Sequence, residues 1–348
     1  LDLDYPIESL KFIIQDSKLS YIVSNNNLLK NVPSNIGILN LENFLQNINN
    51  LNLTTNNLDI KTSYSDLIYI IYTSGSTGRP KGICMSQGAV SEFLTWEMNY
   101  YDKLRREKVL QFSPLNFDIF FQECLTSWSK GDQLVLLPKD YRQQPDALLN
   151  FITEENINKI IVPYVILAQL AEFATISKVY PDTLKKVISV GEALIATISI
   201  NNFIQNMGEC KFYNLYGASE NQVVSVYELR ASNIVGTGAV PIGKPIMNSK
   251  VFILDENHKL VKNGQIGILY VTNNLLCSGY LNRPDLTAKK FILNPFQTIE
   301  KKNNKSYNQK GKNALLYNTG DLARYLPDGN LEFLGRIDDQ VKIRGFRI

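Results

Sequence analysis

The chain of 348 residues carries 36 Lys and Arg against 33 Asp and Glu, a net charge of +3, and 44% of its residues are hydrophobic. This length allows a large core and two or more domains, and the small net charge argues against nucleic-acid binding. The single histidine, His258, nearly excludes His-based triads and His-rich metal sites. The four cysteines form no CxxC pair, which argues against zinc or a disulfide framework and favours a reducing, cytoplasmic compartment.

The longest apolar run, "KIIVPYVILAQLAEFA" at residues 159–174, contains a proline and is too short to span a bilayer. No membrane association is therefore predicted. The chain begins at Leu1 rather than Met and ends directly after "VKIRGFRI". Both ends are expected to be cuts within a longer polypeptide.

Over residues 1–240, short apolar runs alternate with segments of helical period. The runs predicted as strands are 21–23, 67–72, 108–112, 133–138, 158–163 and 186–190. The segments predicted as helices are 88–101, 120–131, 145–155 and 165–174. The alternation predicts an α/β fold with mostly parallel sheets covered by helices. The Asn-rich stretch 25–57 is interpreted as loops with one short helix, although a low-complexity linker is an alternative.

After about residue 240 the pattern changes to strands joined by Gly, Asn and Asp turns, at 249–255, 264–271 and 330–337. This change predicts a smaller β-rich subdomain over residues 241–335. Asp-Gly at 328–329 between apolar runs predicts a β-hairpin.

A loop rich in glycine and hydroxyl groups, "YTSGSTGRPKG" at residues 72–82, follows the apolar run "DLIYII". Its glycines allow tight turns that present backbone N–H groups to an anion, and its hydroxyls and lysine add further donors. It lacks the spacing of a Walker A loop. A polyphosphate is the favoured ligand, and an ordinary solvent loop is the alternative. The candidate phosphate-binding residues are Thr73, Ser74, Gly75, Ser76, Thr77, Gly78 and Lys81.

The loop resembles the phosphate-binding signature of the AMP-forming adenylation superfamily, which includes acyl-CoA ligases, firefly luciferase and the adenylation domains of nonribosomal peptide synthetases. Further motifs similar to those of the superfamily follow in its order, at residues 1–17, 214–220 ("NLYGASE"), 267–291 and 317–345. Their form is most similar to the peptide-synthetase branch. The resemblance implies the large subdomain of that ligase fold over 1–240, a distorted barrel over 241–335, and a hinge over 336–348. It also implies a C-terminal subdomain that this sequence lacks.

In the reaction that the resemblance implies, a carboxylate attacks the α-phosphorus of ATP, giving an acyl-adenylate and pyrophosphate, with Mg²⁺ as cofactor. Lys81, Ser219 and Glu220 are the implied catalytic residues, with Glu220 on Mg²⁺. The implied AMP-binding residues are Gly191, Glu192, Asn214, Tyr216, Gly217, Ser219, Asp321 and Arg336.

Among these, Tyr216 would stack on adenine, Asp321 would accept from the ribose hydroxyls, and Arg336 would contact ribose or phosphate. Asp338 matches the hinge residue of the family. The motif departs from the family at Ala218, which replaces proline, and at Ser219, which replaces threonine but keeps the hydroxyl. Without the motif series, the segment 214–220 would be interpreted as a strand end with a surface Glu.

The stretch "LNFDIFFQE" at residues 115–123 places Asp118 where peptide-synthetase domains pair a carboxylate with the α-ammonium of the substrate. A helix-capping aspartate is the alternative. The side-chain pocket implied by the resemblance consists of Ile119, Gln122, Ile161, Ile188, Val190, Leu215, Val223 and Val224. Because none of these is charged, an apolar amino acid, and more specifically a proline-like one, is the expected substrate.

The resemblance also implies partners: the phosphopantetheine thiol of a peptidyl carrier protein, and condensation domains of the parent synthetase. A catalytic lysine of the missing subdomain would make this chain alone slow or inactive. Two alternatives stay open. One is an acyl-CoA synthetase acting on a fatty or aryl acid with coenzyme A as acceptor, and the other is a non-catalytic nucleotide- or amino-acid-binding module.

Overall fold

The computed structural model describes residues 5–25, 36–48, 56, 59–74, 79–101, 106–233, 236–303, 313–338, 342–343 and 346–347. The described helices are α1 Ile7–Ser17, α2 Leu41–Asn47, α3 Gln87–Tyr100, α4 Asp118–Lys130, α5 Pro145–Glu154, α6 Tyr164–Ser177, α7 Ile198–Asn206, α8 Pro284–Lys290 and α9 Ile299–Asn303. A short 3₁₀ helix spans Lys139–Gln143. Within these residues, no helix is both long and apolar enough to cross a membrane.

The described strands of the first 240 residues are β1 Tyr21–Ser24, β2 Gly37–Asn40, β3 Leu67–Thr73, β4 Lys81–Ser86, β5 Lys108–Gln111, β6 Gln133–Leu136, β7 Lys159–Val162, β8 Lys186–Val190, β9 Ile195–Ala196, β10 Lys211–Ala218, β11 Gln222–Leu229 and β12 Gly238–Ala239. Those that follow are β13 Lys244–Pro245, β14 Lys250–Leu254, β15 Gly267–Thr272, β16 Phe291–Leu293, β17 Leu315–Tyr325, β18 Leu331–Arg336, β19 Lys342–Ile343 and β20 Phe346–Arg347.

Seven of these strands form the central sheet, in the order β13-β11-β10-β8-β7-β5-β6. The strands from β6 to β10 run parallel to their neighbours, while β11 and β13 pair antiparallel at one edge. Every residue of β7 and β8 is buried, as expected for central strands covered on both faces. The predicted α/β architecture is therefore confirmed, including the six strands and four helices predicted before residue 190, with shifts of a few residues at their ends.

Helices cover both faces of this sheet. On one face, β7 and β8 pack against Leu148 of α5, Leu170 of α6 and Phe203 of α7. On the other face, α3 contributes Phe93 and Trp96 to a second apolar cluster. Because the helices connect parallel strands, the carboxyl ends of those strands meet at one edge of the sheet.

The second, antiparallel sheet follows the order β14-β15-β17-β16, and β18 pairs with β17. The predicted hairpin joins β17 to β18: Gly329 takes a φ of 81°, and the Leu326 N–H donates to Asn330 O at 2.8 Å. This sheet accounts for the change of pattern after residue 240, while the exact domain boundaries stay a prediction. His258 lies in the turn after β14, as its sequence context indicates.

Two further features concern the predicted loops. Strands β3 and β4 pair as an antiparallel hairpin, with Thr73 opposite Lys81, so the phosphate loop connects two strands. The short helix predicted in the Asn-rich stretch is α2, and residues 26–35 and 49–55 of that stretch lie outside the described residues. Strands β4, β10, β11 and β17 were not predicted from the sequence.

Candidate active site

A cavity of about 1780 Å³ opens at the carboxyl ends of the parallel strands. Its wall includes residues that end or follow β5, β6, β7, β8 and β10, together with parts of β17 and β18. In open α/β sheets, ligands bind in the crevice outside the carboxyl ends of the strands. The location of the cavity therefore identifies it as the candidate site.

One end of the cavity holds a cluster of charged and hydroxyl side chains around Asp321, which is 8% exposed. The Tyr216 hydroxyl donates to Asp321 Oδ2, and Arg336 Nη1 donates to Asp321 Oδ1. Arg336 also donates from Nε and Nη2 to the two carboxylate oxygens of Asp338, at 2.6 and 2.9 Å. Such a fork between a guanidinium and a carboxylate fixes the orientation of both groups.

The pKa values of this cluster reflect its burial and charge. Burial raises the pKa of the Tyr216 hydroxyl well above its ordinary value, and the negative charge of Asp321 raises it further. Burial alone would lower the pKa of Arg336, but its hydrogen bond to Asp338 and the charge of Asp321 outweigh that effect and raise it. The guanidinium is therefore a permanent cation in this cluster.

The remaining predicted AMP-binding residues also line the cavity, at the ends of β8 and β10. Glu192 Oε2 accepts from the N–H of Val165 in the first turn of α6 at 3.1 Å, and Asn214 Nδ2 donates to Pro241 O at 2.9 Å. Gly191 has a φ of 90°, and a Cβ at this position would meet no heavy atom within 4 Å. Gly191 therefore serves a left-handed backbone, while the predicted close approach to a base stays untested.

The phosphate end of the site is described only in part. Thr73 and Ser74 line the cavity, whereas Gly75, Ser76, Thr77 and Gly78 lie outside the described residues. Ser219 also lines the cavity and is half-buried.

Among the described residues, Lys81 and Glu220 lie behind the cavity wall rather than on it. Lys81 Nζ is 2.8 Å from Glu220 Oε1 and 3.2 Å from the Tyr280 hydroxyl. That hydroxyl donates to the same Glu220 oxygen at 2.9 Å. The predicted phosphate cation and the predicted Mg²⁺ ligand therefore neutralise each other in this structure.

Asp118 is the first residue of α4 and lies on the cavity wall, half-buried rather than deeply buried. Its Oδ1 accepts from the N–H of Ile119 at 3.1 Å. The N-cap position belongs to Phe117, so Asp118 lies one residue inside the helix. A negative charge in this first turn is also favoured by the helix dipole. Both roles considered for Asp118 therefore agree with its position.

Six of the eight predicted pocket residues line the cavity: Ile119, Gln122, Ile161, Val190, Leu215 and Val223. The other two do not lie on the described wall. Ile188 is packed beneath it among the apolar residues around Ile161 and Val190. Val224 points to the opposite face of β11, against Ile242 and Val251, because successive side chains of a strand alternate.

The wall also contains residues that the sequence analysis did not predict. Lys139 and Arg142 of the 3₁₀ helix lie on it, as do Gln143, Gln169 and Gln222. The assumption that charge is absent was made for the eight pocket positions, and it is wrong for the cavity as a whole. No local sequence signal distinguishes these side chains, because strand order alone brings the segment after β6 to this edge.

Residues 1–281 match the family described as "AMP-binding enzyme". The chain therefore belongs to the AMP-binding enzyme family, which confirms the predicted AMP-forming class of ligase. Tyrocidine synthase 2 of Brevibacillus parabrevis is 33% identical over 363 residues, covering 100% of this chain and 9% of the relative. Bacitracin synthase 3 of Bacillus licheniformis is 35% identical, covering 100% and 5%. The chain thus spans less than a tenth of the length of these relatives.

A solved structure with a TM-score of 0.80 has the same fold: "NpsA-ThdA, an artificially fused Adenylation-PCP di-domain NRPS from Klebsiella oxytoca". It is 21% identical, and the match covers 100% of this chain and 59% of that one. At this identity the likeness supports the fold. The predicted resemblance to the peptide-synthetase branch is confirmed by the synthetase relatives.

Proposed function

We propose that this chain activates the carboxylate of an amino acid with ATP, forming an aminoacyl-adenylate and pyrophosphate. The observation that carries the proposal is that one cavity contains both Asp118 and the Tyr216–Asp321–Arg336 cluster. A half-buried carboxylate matches the α-ammonium of an amino acid, a charge that fatty and aryl acids lack. The cluster offers acceptors for ribose hydroxyls and a cation for phosphate.

In this reaction, an oxygen of the substrate carboxylate forms a bond to the α-phosphorus while the bond to the oxygen bridging the α- and β-phosphorus breaks. The electron pair leaves with pyrophosphate, and no proton needs to move. Catalysis therefore depends on positioning and on charge neutralisation. Thr73, Ser74 and Ser219 would donate to phosphate oxygens, and Lys81 would supply positive charge behind the loop.

Glu220 is the proposed ligand for Mg²⁺, which neutralises phosphate charge when it is bound. Magnesium in nucleotide sites is held by one or two carboxylates together with substrate phosphates and water. The described residues contain no group of three or more His, Cys, Asp or Glu suited to a metal. A single hard oxygen donor at the phosphate end therefore fits a metal that arrives with the nucleotide.

For the nucleotide, we assign the Tyr216 ring to adenine, Asp321 to the ribose hydroxyls and Arg336 to a second ribose or phosphate contact. Gly191, Glu192, Asn214 and Gly217 would form the surrounding backbone wall. Their support is that all of them line the same cavity. Asp338, which fixes Arg336 and precedes residues 339–348, is the proposed hinge.

For the amino acid, we propose an apolar side chain, and within that class a proline-like ring. The support is the wall next to Asp118, where five aliphatic residues and Gln122 line the cavity. An unpaired charged side chain in this part of the wall would be costly to bury.

The proposed acceptor of the aminoacyl group is the phosphopantetheine thiol of a peptidyl carrier protein, in a synthetase that also contains condensation domains. The supports are the peptide-synthetase names of the relatives and the adenylation–PCP title of the structural neighbour. A cytoplasmic location stays a prediction.

The test is ATP–pyrophosphate exchange, measured over the standard amino acids with the complete natural polypeptide that contains this chain. Asp118→Ala is expected to lower amino-acid-dependent kcat/KM by about 100-fold or more, because it removes the partner of a desolvated ammonium. Asp146→Ala is the matched control, since Asp146 also lies in the first turn of a helix but is exposed.

Exchange that is supported by fatty or aryl acids and unaffected by Asp118→Ala would instead favour the acyl-CoA synthetase. Exchange with no acid tested would favour a non-catalytic module.

A further inference from the structure

Gln222, the first residue of β11, lies on the cavity wall and is only 4% exposed. Among the residues that the structure describes, neither Oε1 nor Nε2 of its carboxamide has a hydrogen-bond partner. Buried polar side chains are nearly always hydrogen-bonded, because an unmade bond in a dry site is unfavourable. The amide therefore lacks within the described protein what a ligand could supply.

The backbone holds Gln222 in an unusual conformation. Its φ is 53°, in the left-handed region that side chains other than glycine rarely adopt. The pairing of β10 with β11 shifts register between Tyr216 and Gly217, and Asn221 Oδ1 accepts from the Ala218 N–H at 2.7 Å. Gly217 permits this approach, since a Cβ there would lie 1.6 Å from the Gln222 carbonyl oxygen. Strained backbone of this kind is typical of functional sites.

The neighbours of Gln222 place its amide near Asp118. Tyr69 stacks on Phe121 of α4, with ring centroids 4.3 Å apart, so it lies against the helix that begins with Asp118. Burial raises the pKa of the Tyr69 hydroxyl, and the charge of Asp118 raises it further, whereas Gln222 lowers it in part. Tyr69 is therefore a common neighbour of Asp118 and Gln222.

We propose that Gln222 is a substrate-binding residue whose Oε1 accepts a hydrogen bond from the α-ammonium of the amino acid, beside Asp118. This inference rests on the proposed function and names a second reader of the head group. A carboxamide oxygen can accept from an N–H without adding charge. Two acceptors on one wall would satisfy both N–H groups of a secondary ammonium, such as that of a proline-like substrate.

The test is Gln222→Met in the complete natural polypeptide, with the amino acid that gives the fastest exchange. The KM for the amino acid is expected to rise about tenfold or more, as for the loss of a hydrogen bond to a charged group. The KM for ATP is expected to stay within about twofold, because the nucleotide is assigned to other residues. The melting temperature without ligand is expected to stay equal or rise, since methionine replaces an amide that has no partner.

Gln133→Met is the matched control, because Gln133 is an exposed glutamine at the start of β6 and should leave every measured value unchanged. An unchanged KM for the amino acid in Gln222→Met would overturn the proposal. So would a lower melting temperature or a failure to fold, because either shows that the amide serves the fold. If the wild-type polypeptide supports no amino-acid-dependent exchange, the proposed function fails; if it does and Gln222→Met behaves like wild type, only this inference fails.

Discussion

The buried ion pair between Lys81 and Glu220 allows a test of stability that does not depend on activity. Lys81 is 7% exposed and Glu220 is fully buried, and Tyr280 completes the cluster. Lys81→Met leaves a buried carboxylate without its cation, which costs about 3–5 kcal/mol. At about 2.1 cal/mol/K per residue, the 348-residue chain has an unfolding entropy of about 0.7 kcal/mol/K. The expected fall in melting temperature is therefore about 4–7 °C.

Thermal unfolding of the ligand-free protein at pH 7, followed by circular dichroism, measures this change. The double variant Lys81→Met/Glu220→Gln should recover about half of the loss or more, because it removes both charges together. Lys11→Met is the control: Lys11 forms an exposed pair with Glu8 at 3.0 Å and should change the melting temperature by less than about 1 °C. If Lys81→Met shifts the melting temperature no more than Lys11→Met, the ion pair does not stabilise this fold.

Two further predictions concern the cavity wall and its support. Burial raises the pKa of Glu123 to about 8, against an ordinary 4.5, and hydrogen bonds from the Ser113 and Phe112 N–H groups only partly offset this. The folded state then binds a proton that the unfolded state releases, so stability falls as pH rises from about 4.5 to 8. Urea unfolding at pH 5, 6.5 and 8 should show this fall in wild type and a weaker one in Glu123→Gln; parallel curves would contradict it. Gly217→Ala should lower stability in urea by about 3 kcal/mol because of its steric clash, against about 1 kcal/mol for Gly208→Ala, where only a φ of 57° opposes the Cβ. Equal losses would show that the hairpin relaxes around the new methyl group.

The elements that follow from local pattern were predicted well. Residues 186–190 form a fully buried strand, and the Asp328-Gly329 turn closes its hairpin as predicted. Both depend on neighbours in sequence, namely an apolar run and a residue that accepts a positive φ. The unpredicted β10 and β11 have a less regular local signal, because the motif residues 214–220 lie across their bulge.

The site could be predicted only where a motif specifies a position. Asp118, Tyr216, Asp321 and Arg336 come together in one cavity although up to 218 residues separate them in the chain. The sequence could not show that Lys81 pairs with Glu220, 139 residues away.

By itself, the sequence determined the alternation of strands and helices, the turn residues and the motif order, because each depends on a few adjacent residues. Tertiary structure decided which side chains share the cavity. Val223 faces it and Val224 does not, because the register of β11 assigns alternate residues to opposite faces. Lys139 and Gln222 reach it because strand order brings together the ends of β6 and β10, which are distant in the chain.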